Sequence, residues 1–500
     1  MLVSWNSCRL LLAFALLFAV ITGTAVAKEG DVDTSKEAAA GDGPQPQEAW
    51  NEVRHNGRGY VSLDDVGRFY GLTFERDEKR ARLTNGKIHL EFITGTKGLL
   101  LNGLQFYLSY AVLPWGEDRV IVSNFDLVNV IDPTLRPSSQ RDPSQLQTVI
   151  INASHGGRDA GISGPWGREK DFTLDLALRL RKQLADTPYR IMLTREGDFD
   201  LSVADRFALA ESVKGEAIFV SLHLGNGNPN AQGLEISTLP PPYTPATYDP
   251  ADAKPDESFY PGNINDRESL VLAVAIQGQA LREKVRTLGL KRSRYEELKG
   301  IAVPAVYCRA GFITNKDDLK LLGQPEHLDR IAKVIAGGIQ RYASVIEQGI
   351  EQHTLQRAEE PLIISNVEVF ADQVRSLQGE KRRVRIDIRA HESTVVDPAK
   401  VDVQVYFFDL VNGKTLDLSA ADPPAVEWIS VLPDWKATDT EVMEVSYELP
   451  AMNEEEYKAF GQRFYYGFVI RLVYDGKLVD SYSEPTNLRR GLPHFTPVFP

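Results

Sequence analysis

TVIINASHGGRDAGISGPWGREK, residues Thr148 to Lys170, opens on a β-branched apolar run and closes on charge. Thr148 to Ile151 has the composition of a strand buried on both faces. The run delivers His155 to a turn, where Gly156 and Gly157 allow backbone geometry that a Cβ would forbid. The imidazole is thereby placed at the carboxyl end of a sheet strand. Glu169 stands at the start of a helix-like run, Asp171 to Leu180, after a glycine-rich loop. A second histidine, His223, ends the apolar run Ala217 to Leu222. Two histidines and a glutamate at strand and helix ends around one sheet edge have the ligand types of a catalytic zinc site, which keeps a fourth position open for water.

Outward from this stretch, strand and helix patterns alternate. Thr148–Ala153, Arg190–Thr194, Ala217–Leu222, Leu234–Ser237 and Ala302–Cys308 read as strands. Phe172–Leu184, Val203–Val213, Ser269–Leu288 and Glu326–Ile346 read as helices. That order predicts an α/β sheet with helices on both faces over residues 147–346. Ser202 and Asp205 form a capping box for the second helix. Between Pro240 and Asn263, proline, tyrosine and acidic residues predict a long loop on the active face, of the kind that shapes a substrate groove.

The fold class is therefore multidomain. A small α+β unit, 50–133, is expected before the central one: Arg80 to Phe92 alternates around Asn85-Gly86, a strong hairpin signal, and Tyr60-Val-Ser-Leu-Asp-Asp starts a capped helix. Pro133, Pro137 and Pro143 punctuate a linker, and Gln352 to Pro361 is read as a second one. Beyond it a period of two sets in at Val384, Ile386 and Ile388, at Val401, Val403 and Val405, and from Phe468 to Tyr474, predicting a β-sandwich over 362–490. Trp428, Trp435, Tyr465 and Tyr466 are assigned to its core rather than to a sugar platform.

Residues 1–27 carry Arg9, an apolar run from Leu10 to Ile21 and Ala25-Val26-Ala27, the features of a secretory signal peptide with an A-x-A cleavage site. Residues 28–49 have almost nothing to bury and read as a flexible leader. The chain is expected to be exported to the periplasm or cell envelope, with no stable membrane anchor once the signal is removed. Cleavage removes Cys8 and leaves Cys308 without a partner for an internal disulfide. A net charge of −13, with no clustered Lys and Arg, argues against nucleic acid as a partner.

The motifs carry a family resemblance. His155-Gly-Gly, Glu169 after its glycine-rich loop, Thr194-Arg195 with Asp198, Ser221-Leu-His223, Asn228-Pro and Gly233-x-Glu235 follow in an order that resembles the zinc-dependent N-acetylmuramoyl-L-alanine amidases, from about Gln147 to Ser344. The first unit resembles, more distantly, the small accessory domain named after the N-terminal domain of copper amine oxidases; His55 and His89 are read there as structural, not as copper ligands.

The amidase resemblance implies Zn²⁺ held by His155, Glu169 and His223, peptidoglycan as partner, and Asn226 and Asn228 beside the substrate. It also implies a glutamate, before Gly-Phe-x-x-Asn, that accepts a proton from water and returns it to the leaving amine. Here Arg309 stands in that place, and arginine stays protonated. Asn152 and Ser154 also depart from the family pattern, and Asn152 implies a weaker hold on the first histidine. Three readings follow: an amidase in which Glu235 or a loop carboxylate handles the proton, a pseudo-amidase that binds peptidoglycan without cutting it, and a cell-envelope scaffold whose protein partners the sequence does not specify.

Overall fold

The structure is a computed structural model that describes residues 52–138, 144–164, 167–250, 253–357, 360–371, 379–391, 394–419, 425–430, 433–435, 440–450 and 452–491. The signal segment 1–27 and the leader 28–49 lie outside the described residues. Among those described, no helix is long and apolar enough to cross a bilayer.

The central unit is a six-stranded mixed sheet. Its strands, labelled within this unit, are β1 (Thr148–Ala153), β2 (Arg190–Leu193), β3 (Ala217–Gly225), β4 (Leu234–Thr238), β5 (Thr287–Arg292) and β6 (Ala305–Phe312), in spatial order β2-β1-β3-β6-β4-β5. β2, β1, β3 and β6 run parallel, while β4 is antiparallel to β6 and parallel to β5. The helices are α1 (Glu169–Gln183), α2 (Val203–Glu211), α3 (Asp266–Arg282), α4 (Glu296–Gly300), α5 (Lys316–Leu322) and α6 (Pro325–Arg357).

Alternation along the strands divides the chemistry between the two faces. Leu176, Ala273, Ile276, Ile335 and Ile339 of α1, α3 and α6 pack with Ile151, Leu222, Ile236 and Cys308 from one face. On the other face Ile150, Phe219 and Tyr307 meet Ala210 and Phe207 of α2 and Leu298 of α4. Asn152, Ser221, Tyr307 and Ser237 lie in register across β1, β3, β6 and β4, and so do His223, Arg309 and Glu235 across the last three. The second face thus becomes polar toward the carboxyl ends of the parallel strands.

Three expectations need correcting. The run Ser269–Leu288 is not one helix: α3 ends at Arg282 and the chain re-enters the sheet as β5. The strand read as Ala302–Cys308 begins after Pro304, which has no N–H to give a ladder, and reaches Phe312, so Arg309 lies well inside it. The linker read from Gln352 is instead largely helical, because α6 continues without a break to Arg357.

Before the central unit, Leu63–Tyr70 is a helix capped by Ser62, and the hairpin at Asn85-Gly86 joins Arg80–Thr84 to His89–Ile93. The apolar core of this region is continuous with the α1, α3 and α6 face of the central sheet. Arg267 of α3 pairs with Asp132 at 2.9 Å across the junction. After the central unit come two four-stranded antiparallel sheets enclosing one core, in which Trp435 is 1% exposed and Trp428 packs edge-on against it. A separate apolar seam joins Phe259 and Ile264 of the central unit to Phe408, Leu416, Val469 and Leu488. Arg490 reinforces that seam by donating to Asn265 Oδ1 at 3.0 Å.

Candidate metal centre

β1 hands the chain to a turn whose carbonyls are held by two buried arginines. Arg195 donates to the carbonyls of Ala153 and Ser154, each at 3.0 Å. Arg206 of α2 donates to those of Ala153 at 2.9 Å and His155 at 2.8 Å. Burial pulls both guanidinium pKa values down. His155 itself has φ of 60°, a left-handed conformation uncommon outside glycine. The clamp on its carbonyl holds that geometry and aims the imidazole at α1.

Glu169 is the first residue of α1 and 1% exposed. Its Oε2 accepts from the Ile162 N–H at 3.0 Å and its Oε1 from the Leu224 N–H at 2.9 Å. His155 Nε2 stands 3.2 Å from Oε2, and His223 Nδ1 stands 3.3 Å from Oε1. Burial alone would raise the pKa of this carboxyl, yet the hydrogen bonds from both imidazoles and both N–H groups hold it far below the usual range. Ligand atoms of His155, Glu169 and His223 all lie within 4.8 Å of one another.

This donor set fits zinc. Two imidazole nitrogens and one carboxylate oxygen, within 4.8 Å of one another, are of the ligand types and number that a catalytic zinc takes from protein. Gly161 closes the cluster from one side: a Cβ there would lie 2.6 Å from the His155 ring and 2.8 Å from Glu169 Oε2. Only glycine leaves the ligands their room.

Each histidine also has a partner on its other ring nitrogen. His155 Nδ1 lies 2.8 Å from Asp159 Oδ2. His223 Nε2 lies 3.0 Å from Ser221 Oγ and 3.4 Å from Glu297 Oε1, and the Tyr307 ring stacks on the imidazole at 3.9 Å. Burial works against the charge on Glu297, but the adjacent His223 outweighs it and lowers the carboxyl pKa. The weaker hold on His155 anticipated from Asn152 is corrected by Asp159, which binds the ring directly. Asn152 bonds instead with Ser221, Thr194 and Arg206. Asp159 was within reach of sequence reasoning as the acid of the glycine-rich loop, whereas no local signal connects Glu297 with His223.

The N-acetylmuramoyl-L-alanine amidase family profile (Amidase_3) matches residues 149–341. The uncharacterized protein YqiI of Bacillus subtilis (strain 168) is 31% identical over 211 residues, covering 42% of this chain and 91% of YqiI. The chain belongs to the N-acetylmuramoyl-L-alanine amidase family. The germination-specific N-acetylmuramoyl-L-alanine amidase of the same Bacillus strain is 27% identical over 217 residues, 40% of this chain and 81% of that protein. The solved catalytic domain of CwlV, an N-acetylmuramoyl-L-alanine amidase from Bacillus (Paenibacillus) polymyxa var. colistinus, is 24% identical, with a TM-score of 0.33, covering 40% of this chain and 99% of that domain.

In this member of the amidase family Arg309 lies beside His223 in the ladder between β3 and β6. Its Nη1 donates to Glu235 Oε1 at 2.6 Å and its Nη2 to the hydroxyl of Tyr295. Tyr248, from the long loop after β4, donates to the other Glu235 oxygen at 2.8 Å. The Glu235 side chain is 1% exposed and that of Arg309 is 18% exposed. Glu235, considered from sequence as a substitute proton carrier, is therefore the counter-ion of Arg309. Asn226 and Asn228 lie exposed in the loop after β3, where Asn228 Oδ1 accepts from the Asn230 N–H at 2.9 Å.

Proposed function

We propose that this protein is an exported, zinc-dependent N-acetylmuramoyl-L-alanine amidase homologue that acts on peptidoglycan in cell-wall remodelling. The convergence of His155, Glu169 and His223 at the carboxyl ends of β1 and β3, in a chain of this family, carries the reading. His155 would offer Nε2, Glu169 a carboxylate oxygen and His223 Nδ1, the nitrogens not engaged by Asp159 and Glu297. Zinc at such ligands supplies Lewis-acid chemistry, polarising a carbonyl and lowering the pKa of water toward ~7.

The chain's own residues supply orientation. Asp159 holds His155, and the N–H groups of Ile162 and Leu224 hold Glu169. Asn226 and Asn228 are assigned to substrate binding. Arg309 cannot take a proton from water, and Glu235 neutralises its charge instead of leaving it directed at the metal. Turnover is therefore expected to be slow, since general acid–base assistance of about 10²- to 10⁴-fold is missing from its family position. We take 50–133, 147–346 and 362–490 as the three units of the chain, and residues 1–27 as the signal that exports it.

Zinc content measured by elemental analysis, together with digestion of purified muropeptides followed by mass spectrometry, tests this reading. About one zinc per chain, lost in His155→Ala and His223→Ala, with slow release of stem peptides, is the expected result. Zinc binding and tight muropeptide binding without any release would instead establish the non-cleaving reading that Arg309 favours. Absence of zinc after incubation with the metal would remove the ligand assignment.

A further inference from the structure

His223 can present either ring nitrogen to a metal, and its proton decides which. Nδ1 faces Glu169 at 3.3 Å, while Nε2 faces Ser221 Oγ at 3.0 Å and Glu297 Oε1 at 3.4 Å. Ser221 cannot fix that proton. The atom of Asn152 that meets Arg206 must be its carbonyl oxygen, because a guanidinium only donates. The Asn152 Nδ2 end therefore donates to Ser221 Oγ, at 2.8 Å, which leaves the serine hydroxyl proton available for Nε2. Donation in that direction would move the imidazole proton to Nδ1, between the ring and Glu169.

Glu297 breaks the tie, since an ionised carboxylate only accepts. We infer that Glu297 is the positioning residue that keeps the His223 proton on Nε2 and leaves the Nδ1 lone pair for a metal held with His155 and Glu169. The backbone of Glu297 is firmly anchored, because the neighbouring Leu298 is 1% exposed and packs with Ala210, Phe219 and Tyr307. The Tyr307 ring lies 14° from parallel with the imidazole, so His223 cannot tilt away from the line between the two carboxylates. Asp159 stands in the same relation to Nδ1 of His155, so the two histidines would bind metal through opposite nitrogens, each backed by a carboxylate.

This assignment rests on the metal-centre reading, and two measurements separate their fates. Zinc affinity, from competition with a chromophoric chelator, should fall about 10- to 100-fold in Glu297→Ala and less in Glu297→Gln, which is isosteric and guards against loss of the fold. Adding Ser221→Ala to Glu297→Ala should recover part of the affinity, because the competing hydroxyl donor is gone; a merely structural role for Glu297 would show no recovery. In zinc-loaded wild-type protein, nuclear magnetic resonance of ¹⁵N-labelled histidine should show His223 coordinated through Nδ1 with a proton on Nε2. Zinc affinity within about two-fold of wild type in Glu297→Ala, or coordination of His223 through Nε2, overturns the assignment and leaves the metal centre standing. A wild-type protein that takes up no zinc overturns both.

Discussion

Replacing Arg309 by glutamate restores the family residue in name but meets Glu235 in fact. The Glu235 side chain is 1% exposed and its Oε1 receives Arg309 Nη1 at 2.6 Å, so Arg309→Glu exchanges a buried ion pair for two facing carboxylates. Losing one partner of a buried pair typically costs about 3–5 kcal/mol, because the other charge is left uncompensated. The Tyr248 hydroxyl still bonds to Glu235 at 2.8 Å and offsets some of this, which places the expected loss near 3 kcal/mol. For a unit of this size that corresponds to roughly 6–12 °C in melting temperature. Adding Glu235→Gln removes the repulsion while keeping an acceptor for Tyr248, so the double variant should regain at least half of the loss. It is in the double variant that faster muropeptide cleavage should appear. Calorimetry of wild type, both single variants and the double variant closes the cycle. Should Arg309→Glu melt at the wild-type temperature, the pair does not hold this edge of the sheet, and the argument that Glu235 is unavailable for proton transfer falls with it.

Gly161→Ala should abolish zinc binding while leaving the secondary structure intact, because its Cβ would displace the His155 ring and Glu169 Oε2; elemental analysis and circular dichroism check it. Cys308 is fully buried and burial pushes its thiol pKa up, so in protein lacking residues 1–27 thiol reagents should label it only after denaturation, and rapid native labelling would refute the register of β6. Burial raises the pKa of Asp266 to about 8, against the opposing pull of Arg292 and Asn263. The protonated form is then favoured by the fold, and its contribution is full below the unfolded value near 4 and lost as pH rises through about 8. Asp266→Asn, fixed in the neutral form, should therefore gain on wild type by an amount on the order of a few kcal/mol between pH 4 and 8, read as diverging melting temperatures; parallel curves would refute it.

What local sequence could reveal was confined to short-range signals. Thr148 to Ile151 announces β1 by β-branching, Ser202 and Asp205 announce α2 by their capping box, and Asn85-Gly86 announces its hairpin, each within a few residues. Strand β5 stayed hidden because Leu288 and Leu290 continue the apolar spacing of the helix before it, and only the sheet edge offered by β4 draws them into a ladder. The extension of α6 hid behind the polar residues from Gln352, which suggest a linker, although Glu347, Gln348, Glu351, Gln352, Leu355, Gln356 and Arg357 are good helix formers and outweigh Gly349, His353 and Thr354. His155, Glu169 and His223 were legible through motif order. Their surroundings were not, since Glu297, Tyr307 and the Arg309–Glu235 pair reach the site from β4, α4 and β6, far along the chain.

The 33 residues of α6 make a rod about 50 Å long that packs against α1 and α3 and continues without interruption to Arg357. Phe259 and Ile264 of the central unit are covered by Phe408, Leu416, Val469 and Leu488. Modularity is therefore lost at this boundary. A fragment ending at residue 346, where the sequence alone would cut, removes the last turns of a continuous helix and bares an apolar seam, inviting aggregation of an otherwise sound central sheet. Dissection of this chain, by protease or by recombination, should succeed only where the cut spares both.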